Sequence, residues 1–141
     1  MASSGAAFSR PAAKARILVV DDEAGMRDLL KAILESDYHV SEADSGAALH
    51  QALDQEQPDV VLLDIKLPDA NGLGLLPAIK QRWPATEVIV LTGQPSDHGI
   101  ASWTSEAVSR GAFSLISKSA GFDFRQLLEG IGLALARRQQ A

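Results

Sequence analysis

Four apolar runs in this chain end in groups that could do chemistry. "RILVVDDE" ends in Asp21, Asp22 and Glu23, "DVVLLD" in Asp64, "TEVIVLTG" in Thr92 and Gly93, and "AFSLISK" in Lys118. Taken singly, each has an ordinary explanation. An Asp after a strand is commonly a turn or helix-cap residue, Thr-Gly is a common strand exit, and a lone Lys is a solvated charge. Together they form a set. Carboxylates brought close raise one another's pKa values or recruit a cation, and oxygen-only ligands suit Mg²⁺ better than zinc or copper. Phosphoryl transfer needs a metal to bridge oxygens, a Lys to neutralise charge, and hydroxyl or N–H donors for the equatorial oxygens. Asp22, Asp64, Thr92, Gly93 and Lys118 supply those types, and a carboxylate can itself accept a phosphoryl group as an acyl phosphate.

The elements that must position these groups alternate. Each apolar run is followed by a helical pattern, as in Met26, Leu29, Leu30, Ile33 and Leu34 after the first run. Ser45 is placed to cap a second helix bearing Leu49, Ala52 and Leu53. A third helix carries Leu75, Leu76, Ile79 and Trp83, with Pro77 inside it predicting a kink or a late start. A fourth, around Ile100, Trp103, Ala107 and Val108, should end near Gly111 as its C′ residue. Phe124, Leu127, Leu128, Ile131 and Leu135 stripe the fifth. The strand "YHVSEA" is more polar than the others. Alternation predicts parallel strands joined by helical crossovers, and continuous apolar runs predict burial on both faces. The expected fold is α/β: a doubly wound (βα)5 flavodoxin-like sandwich around a five-stranded parallel sheet of order 2-1-3-4-5. In that order strands 1 and 3 are neighbours, and ligands bind beyond the carboxyl ends of the strands. The acids would then converge.

Composition limits the alternatives. A chain of 141 residues fits one domain with a full core. All 18 acids lie between residues 17 and 136, where only 8 Lys or Arg occur. Such an acidic segment is a poor candidate for direct nucleic-acid binding. The absence of cysteine excludes disulfides and thiolate chemistry, and no apolar run is long enough to predict a membrane span. A dinucleotide site is disfavoured because no G-x-G-x-x-G follows the first strand. His39, His50 and His98 show no metal spacing.

The stretches "ILVVDDE", "VVLLDIKLPDANGLGLL", "VIVLTG" and "AVSRGAFSLISK", in this order and spacing, resemble the receiver domain of bacterial two-component response regulators. The resemblance divides the chain into a leader (1–15), a receiver domain (16–137) and a tail or start of a linker (138–141). It implies that Asp64 accepts a phosphoryl group from a phosphohistidine. Asp21 and Asp22 would hold Mg²⁺, with Asp64 and the backbone carbonyl of Lys66 as further ligands. Thr92 would hydrogen-bond the installed phosphoryl group, Lys118 would pair with it, and Lys66 and Gln94 would tune its lifetime. Thr92, Gly93 and Leu115 fall at the switch and signalling positions. The implied partners are a sensor histidine kinase or phosphotransfer protein and a downstream protein or output domain, with no nucleic acid and no membrane. Dimerisation would use the face of helix 4, strand 5 and helix 5, and the location would be cytoplasmic.

Three departures from the family pattern bear on output. Leu115 stands where Tyr or Phe is usual, three residues before the Lys; Phe113, two residues away, is expected on the same strand face. Lys118 is followed by Ser119-Ala120-Gly121 where the family has Pro, which predicts a trans Lys118-Ser119 bond or a reshaped loop, since cis without proline costs ~3 kcal/mol. The stretch from Thr92 to Gly111 is longer than usual by about one helical turn, ~4 residues, so the fourth helix or the loop before it should be extended or displaced. These departures leave open a phosphorylation-independent interaction module. A small Asp-nucleophile phosphatase ranks lower, because Lys66 occupies the place of the general acid. The sequence stops at "ARRQQA", which fits either a single-domain regulator or one whose output module follows.

Overall fold

The apolar runs become the strands of a single sheet in the computed structural model, which describes residues 14–93, 99–118 and 122–140. The elements run β1 (Arg16–Val20), α1 (Ala24–Leu34), β2 (His39–Ala43), α2 (Gly46–Gln55), β3 (Val60–Asp64), α3 (Gly72–Arg82), β4 (Glu87–Thr92), α4 (Gly99–Ser109), β5 (Ser114–Ser117) and α5 (Phe124–Gln140). All pairings are parallel, and the spatial order is β2-β1-β3-β4-β5, the expected one. β3 and β4 are buried along their whole length, while β2 is a largely exposed edge strand. That exposure explains its polar sequence, because an edge facing water gains nothing from apolar side chains.

Strand alternation sorts the core into two layers. Leu18, Val61, Leu63, Val88, Val90 and Leu115 pack with α2, α3 and α4 through Leu49, Leu53, Leu76, Ile79 and Ala107. Ile17, Val19, Val60, Leu62, Ile89, Leu91 and Ile116 pack with α1 and α5 through Leu30, Leu34, Leu127 and Ile131. Trp83 and Trp103 are half-buried against the first layer.

The helix ends follow local chemistry. Ser45 Oγ accepts from the Ala48 N–H at 3.1 Å, and Asn71 Oδ1 accepts from Leu73 at 2.8 Å. At the end of α4, Gly111 has φ +114°, the left-handed conformation that glycine adopts without cost. The Ala112 N–H reaches the Ala107 carbonyl at 3.0 Å and the Gly111 N–H reaches Val108 at 3.0 Å, the bond pair of a Schellman stop. Pro77 does not delay α3, which begins at Gly72. Proline cannot donate to the carbonyl four residues back, and that carbonyl, of Leu73, accepts instead from Arg110 Nη1 at 3.3 Å.

One sequence expectation changes here. Phe113 does not share a face with Leu115. It lies one residue before β5 begins, outside the strand's alternation, and packs with the α1/α5 layer under the Arg137 guanidinium, 4.8 Å from the ring centre. α4 has 11 residues, as α1 and α3 do. The loop before it, with Gln94 and His98, lies outside the described residues, as do Ser119, Ala120 and Gly121.

Acids at the opposite end of the sheet anchor the helices. Glu87, at the start of β4, accepts both Arg137 bonds at 2.7 Å and has Lys80 Nζ at 3.6 Å. Asp59 pairs with Arg138 at 3.1 Å and accepts the Arg16 N–H at 2.8 Å. Arg137 and Arg138 are therefore part of α5's last turns, folded onto β3 and β4. Burial raises the Glu87 carboxyl, but the Arg137 bonds and the Lys80 charge outweigh it and hold it below its ordinary value. A lowered carboxyl stabilises the fold above its unfolded value, about 4.3, and that contribution is lost as pH falls through the folded value. Glu87→Gln should cost about 1–3 kcal/mol in urea unfolding at neutral pH, and the difference from the parent should shrink on acidification below that range.

Candidate functional site

The register explains why the reactive groups meet. Val20 pairs with Leu63, so Asp21 and Asp64 leave neighbouring strands at the same level. Asp64 pairs with Leu91 and Thr92 with Ser117, so Thr92 emerges one step past Asp64 and Lys118 one step past Thr92. Asp21, Asp64 and Lys118 continue the alternation of the α1/α5 face. Thr92 continues that of the opposite face, which also carries Val90 and Leu115.

Lys118 holds the centre. Its Nζ lies 2.6 Å from Asp21 Oδ2 and 3.4 Å from Asp64 Oδ2, with only 6% of its side chain exposed. Its backbone N–H bonds the Thr92 carbonyl at 2.7 Å, which ties β5's exit to β4's. Asp21 is held on every side: Oδ1 accepts from the Glu23 N–H at 2.9 Å, and its own N–H reaches the Ala43 carbonyl at 3.1 Å. Asp22 is exposed at the rim. One carboxylate oxygen from each of Asp21, Asp22 and Asp64 can be chosen so that all lie within 4.8 Å of one another.

The electrostatics are those of a site short of positive charge. Burial pushes the Asp64 carboxyl above the ordinary carboxylate range; Lys118 pulls it back, Asp21 raises it again, and the Lys66 N–H, which hydrogen-bonds to it, lowers it. The net direction is upward. Burial pulls the Lys118 ammonium down, but its hydrogen bond to Asp21 and the charges of Asp64 and Asp21 leave it above its ordinary value. One buried ammonium thus offsets only part of the charge of three carboxylates. All-oxygen donors with unbalanced negative charge fit a hard divalent cation such as Mg²⁺.

The turn after Asp64 is built around two close approaches. Lys66 faces Asn71 in an isolated antiparallel bridge whose bonds are Gly72 N–H to the Ile65 carbonyl, 2.6 Å, and Leu67 N–H to the Ala70 carbonyl, 3.2 Å. That pattern turns Lys66's own N–H and C=O outward, and the N–H meets Asp64. Gly72 is required here: a Cβ on it would sit 2.2 Å from the Asp64 carbonyl oxygen. Asp69 takes the Gly46 and Ala47 N–H groups at 2.7 and 3.0 Å, fastening the turn to the start of α2. These bonds hold its carboxyl below the usual range.

Asp21, Asp22, Asp64 and Lys118 thus come together in space, with Thr92, Gly93 and the Lys66 turn at the same sheet edge. Gly93 is exposed and lies beside Lys118, whose Cε would be 3.8 Å from an added Cβ. Leu115 lies in the α2–α4 core layer, 7% exposed. Gly72, Asp69 and Arg27 were missed. The first two belong to "LPDANG", a stretch rich in turn-forming residue types; Arg27, whose Nη1 donates to the Asp21 carbonyl at 2.7 Å, has no motif signal.

Comparison with known proteins agrees with this geometry. The family model for the response regulator receiver domain matches residues 17–131. The chain belongs to the response regulator receiver family. It is 38% identical over 116 residues to a protein-glutamate methylesterase/protein-glutamine glutaminase of Rhizobium johnstonii, covering 80% of this chain and 33% of that protein. The chain therefore spans about a third of that curated relative. Among solved structures, it resembles a CheY-like receiver domain protein from Methanospirillum hungatei JF-1, with TM-score 0.80 and 31% identity over 90% of this chain and 98% of that one. It also resembles the beryllofluoride-activated NtrC4 receiver domain dimer, with TM-score 0.77 and 31% identity over 87% of this chain and 98% of that one. Among the described residues, no helix is long and apolar enough to cross a membrane.

The raised Asp64 carboxyl has a consequence for stability. It binds its proton more tightly in the folded state, so its ionisation lowers stability as pH rises from the unfolded value, about 3.9, through the folded one. In metal-free buffer at pH 7, Asp64→Asn should raise the melting temperature by a few degrees. The gain should disappear when scanning calorimetry is repeated below the unfolded value, where both residues are neutral.

Proposed function

We propose that the chain is a phosphorylation-dependent receiver, with Asp64 accepting a phosphoryl group from the phosphohistidine of a sensor kinase or phosphotransfer protein. The observation that carries this reading is the buried Asp64 carboxylate, held within reach of both Lys118 and the Asp21–Asp22 pair. In the transfer, an Asp64 oxygen forms the new bond to phosphorus as the phosphorus–nitrogen bond breaks. The bonding electron pair leaves on the imidazole nitrogen, and a proton already carried by the donor's other ring nitrogen leaves that imidazole neutral. Lys118, which lies between Asp21 and Asp64 in this structure, neutralises charge on the phosphoryl oxygens. The Thr92 hydroxyl donates to one of them, and Gly93 keeps that corner free of a side chain. Mg²⁺ held by Asp21, Asp22, Asp64 and the Lys66 carbonyl would supply the remaining positive charge that the transferring group needs.

Output passes through the face of α4, β5 and α5. Leu115 has neither ring nor hydroxyl, so any movement of Thr92 is transmitted through aliphatic packing. Val108 of α4 is 49% exposed, which supports a role for this face in contact with a downstream protein, an output domain or a second copy. We place the protein in the cytoplasm, alongside the kinases that supply its phosphoryl group.

Incubation with Mg²⁺ and a small phosphodonor should produce a labile adduct of one phosphoryl group by intact-mass spectrometry, removed by hydroxylamine as an acyl phosphate is. The adduct should be absent without Mg²⁺ and absent in Asp64→Asn. A parent protein that stays unmodified, while partner binding survives Asp64→Asn, would instead indicate a phosphorylation-independent interaction module.

A further inference from the structure

Arg27 stands one helical turn beyond the acid pair and touches none of the groups assigned a role above except a backbone atom. Its Nη1 donates to the Asp21 carbonyl oxygen at 2.7 Å, and its Nε donates to Glu42 Oε1 of β2 at 3.2 Å. Only 17% of its side chain is exposed. The Asp21 carbonyl belongs to the peptide group that joins Asp21 to Asp22. With the Asp21 N–H on Ala43 and Oδ1 on the Glu23 N–H, the guanidinium is, among the described residues, the remaining hold on that peptide plane. The plane sets the direction in which Asp22, the exposed member of the acid cluster, leaves the backbone.

We infer that Arg27, braced by Glu42, is a positioning residue for the cation site: it orients Asp22 by fixing the Asp21–Asp22 peptide. The inference rests on the Mg²⁺ reading of the acid cluster. Two opposite effects can be separated by sign. Arg27 is a cation near a cation site, so charge alone would make its removal tighten Mg²⁺ binding. Glu42 cancels much of that charge, and the positioning role predicts the reverse. Groups that orient metal ligands from behind are worth about 10-fold or more in metal affinity.

The test is a Mg²⁺ titration of the parent, Arg27→Met and Arg27→Lys, followed by backbone amide shifts and needing no phosphodonor. Methionine keeps the apolar stem and the helix but has no donor. Arg27→Met should bind Mg²⁺ about 10-fold more weakly, with faster hydrogen exchange at the Asp22 amide. Arg27→Lys, which can still reach the carbonyl, should recover most of the affinity. Should Arg27→Met fail to fold, Arg27→Leu, likewise neutral and without a donor, serves the same comparison. Equal or tighter Mg²⁺ binding in the neutral variant overturns the inference and leaves the cation site standing. No Mg²⁺ binding by the parent overturns the reading beneath it.

Discussion

The Lys118 ammonium, buried between Asp21 and Asp64, is the interaction on which the rest of the site depends. Three carboxylates gathered at one end of a sheet repel one another, and water is largely excluded from two of them. A single internal cation makes the cluster tolerable without neutralising it. The imbalance is visible in opposite directions on the two partners: Lys118 is held firmly protonated, while Asp64 remains reluctant to ionise. A site in that condition favours whatever brings more positive charge. Replacing Lys118 would leave Asp21 and Asp64 buried without their counter-charge, which is far costlier than the ion pairs themselves are stabilising.

Holding that arrangement falls to backbone geometry at both ends of the sheet. At the reactive end, Gly72 lets α3 start against the Asp64 carbonyl, Asp69 fastens the intervening turn to α2, and Arg27 fastens the Asp21 carbonyl to β2. At the other end, Glu87 and Asp59 fasten α5 to the first residues of β4 and to the turn before β3. The strands that deliver Asp64 and Thr92 are therefore pinned at both ends. Rigid delivery matters because phosphoryl transfer gains most from groups that need not reorganise during the reaction.

Strand ends were readable in the sequence because their signal is local: an apolar run followed by a reactive side chain. Asp21, Asp64, Thr92 and Lys118 all have that form, and parallel register then brings them together. Arg27, Gly72 and Asp69 could not be read that way: Asp69 acts on backbone atoms distant in sequence, and Gly72 and Arg27 act through approaches that exist only once helix and sheet are packed. Phe113 shows the opposite failure. Its period with Leu115 was correct, but β5 begins one residue later, so alternation did not apply and Arg137 claimed the ring. Pro77 looked like an interruption of α3, and Arg110, 33 residues away, satisfies the carbonyl it strands.

The most direct test of this account is a crystal structure determined with Mg²⁺ and beryllofluoride, which mimics a phosphoryl group on a carboxylate. The account predicts beryllium bonded to an Asp64 oxygen, one cation among Asp21, Asp22 and Asp64, and the Lys118 ammonium shifted from Asp21 to a fluorine. Density at any other residue, or an unmodified Asp64 with Lys118 still on Asp21, would contradict it.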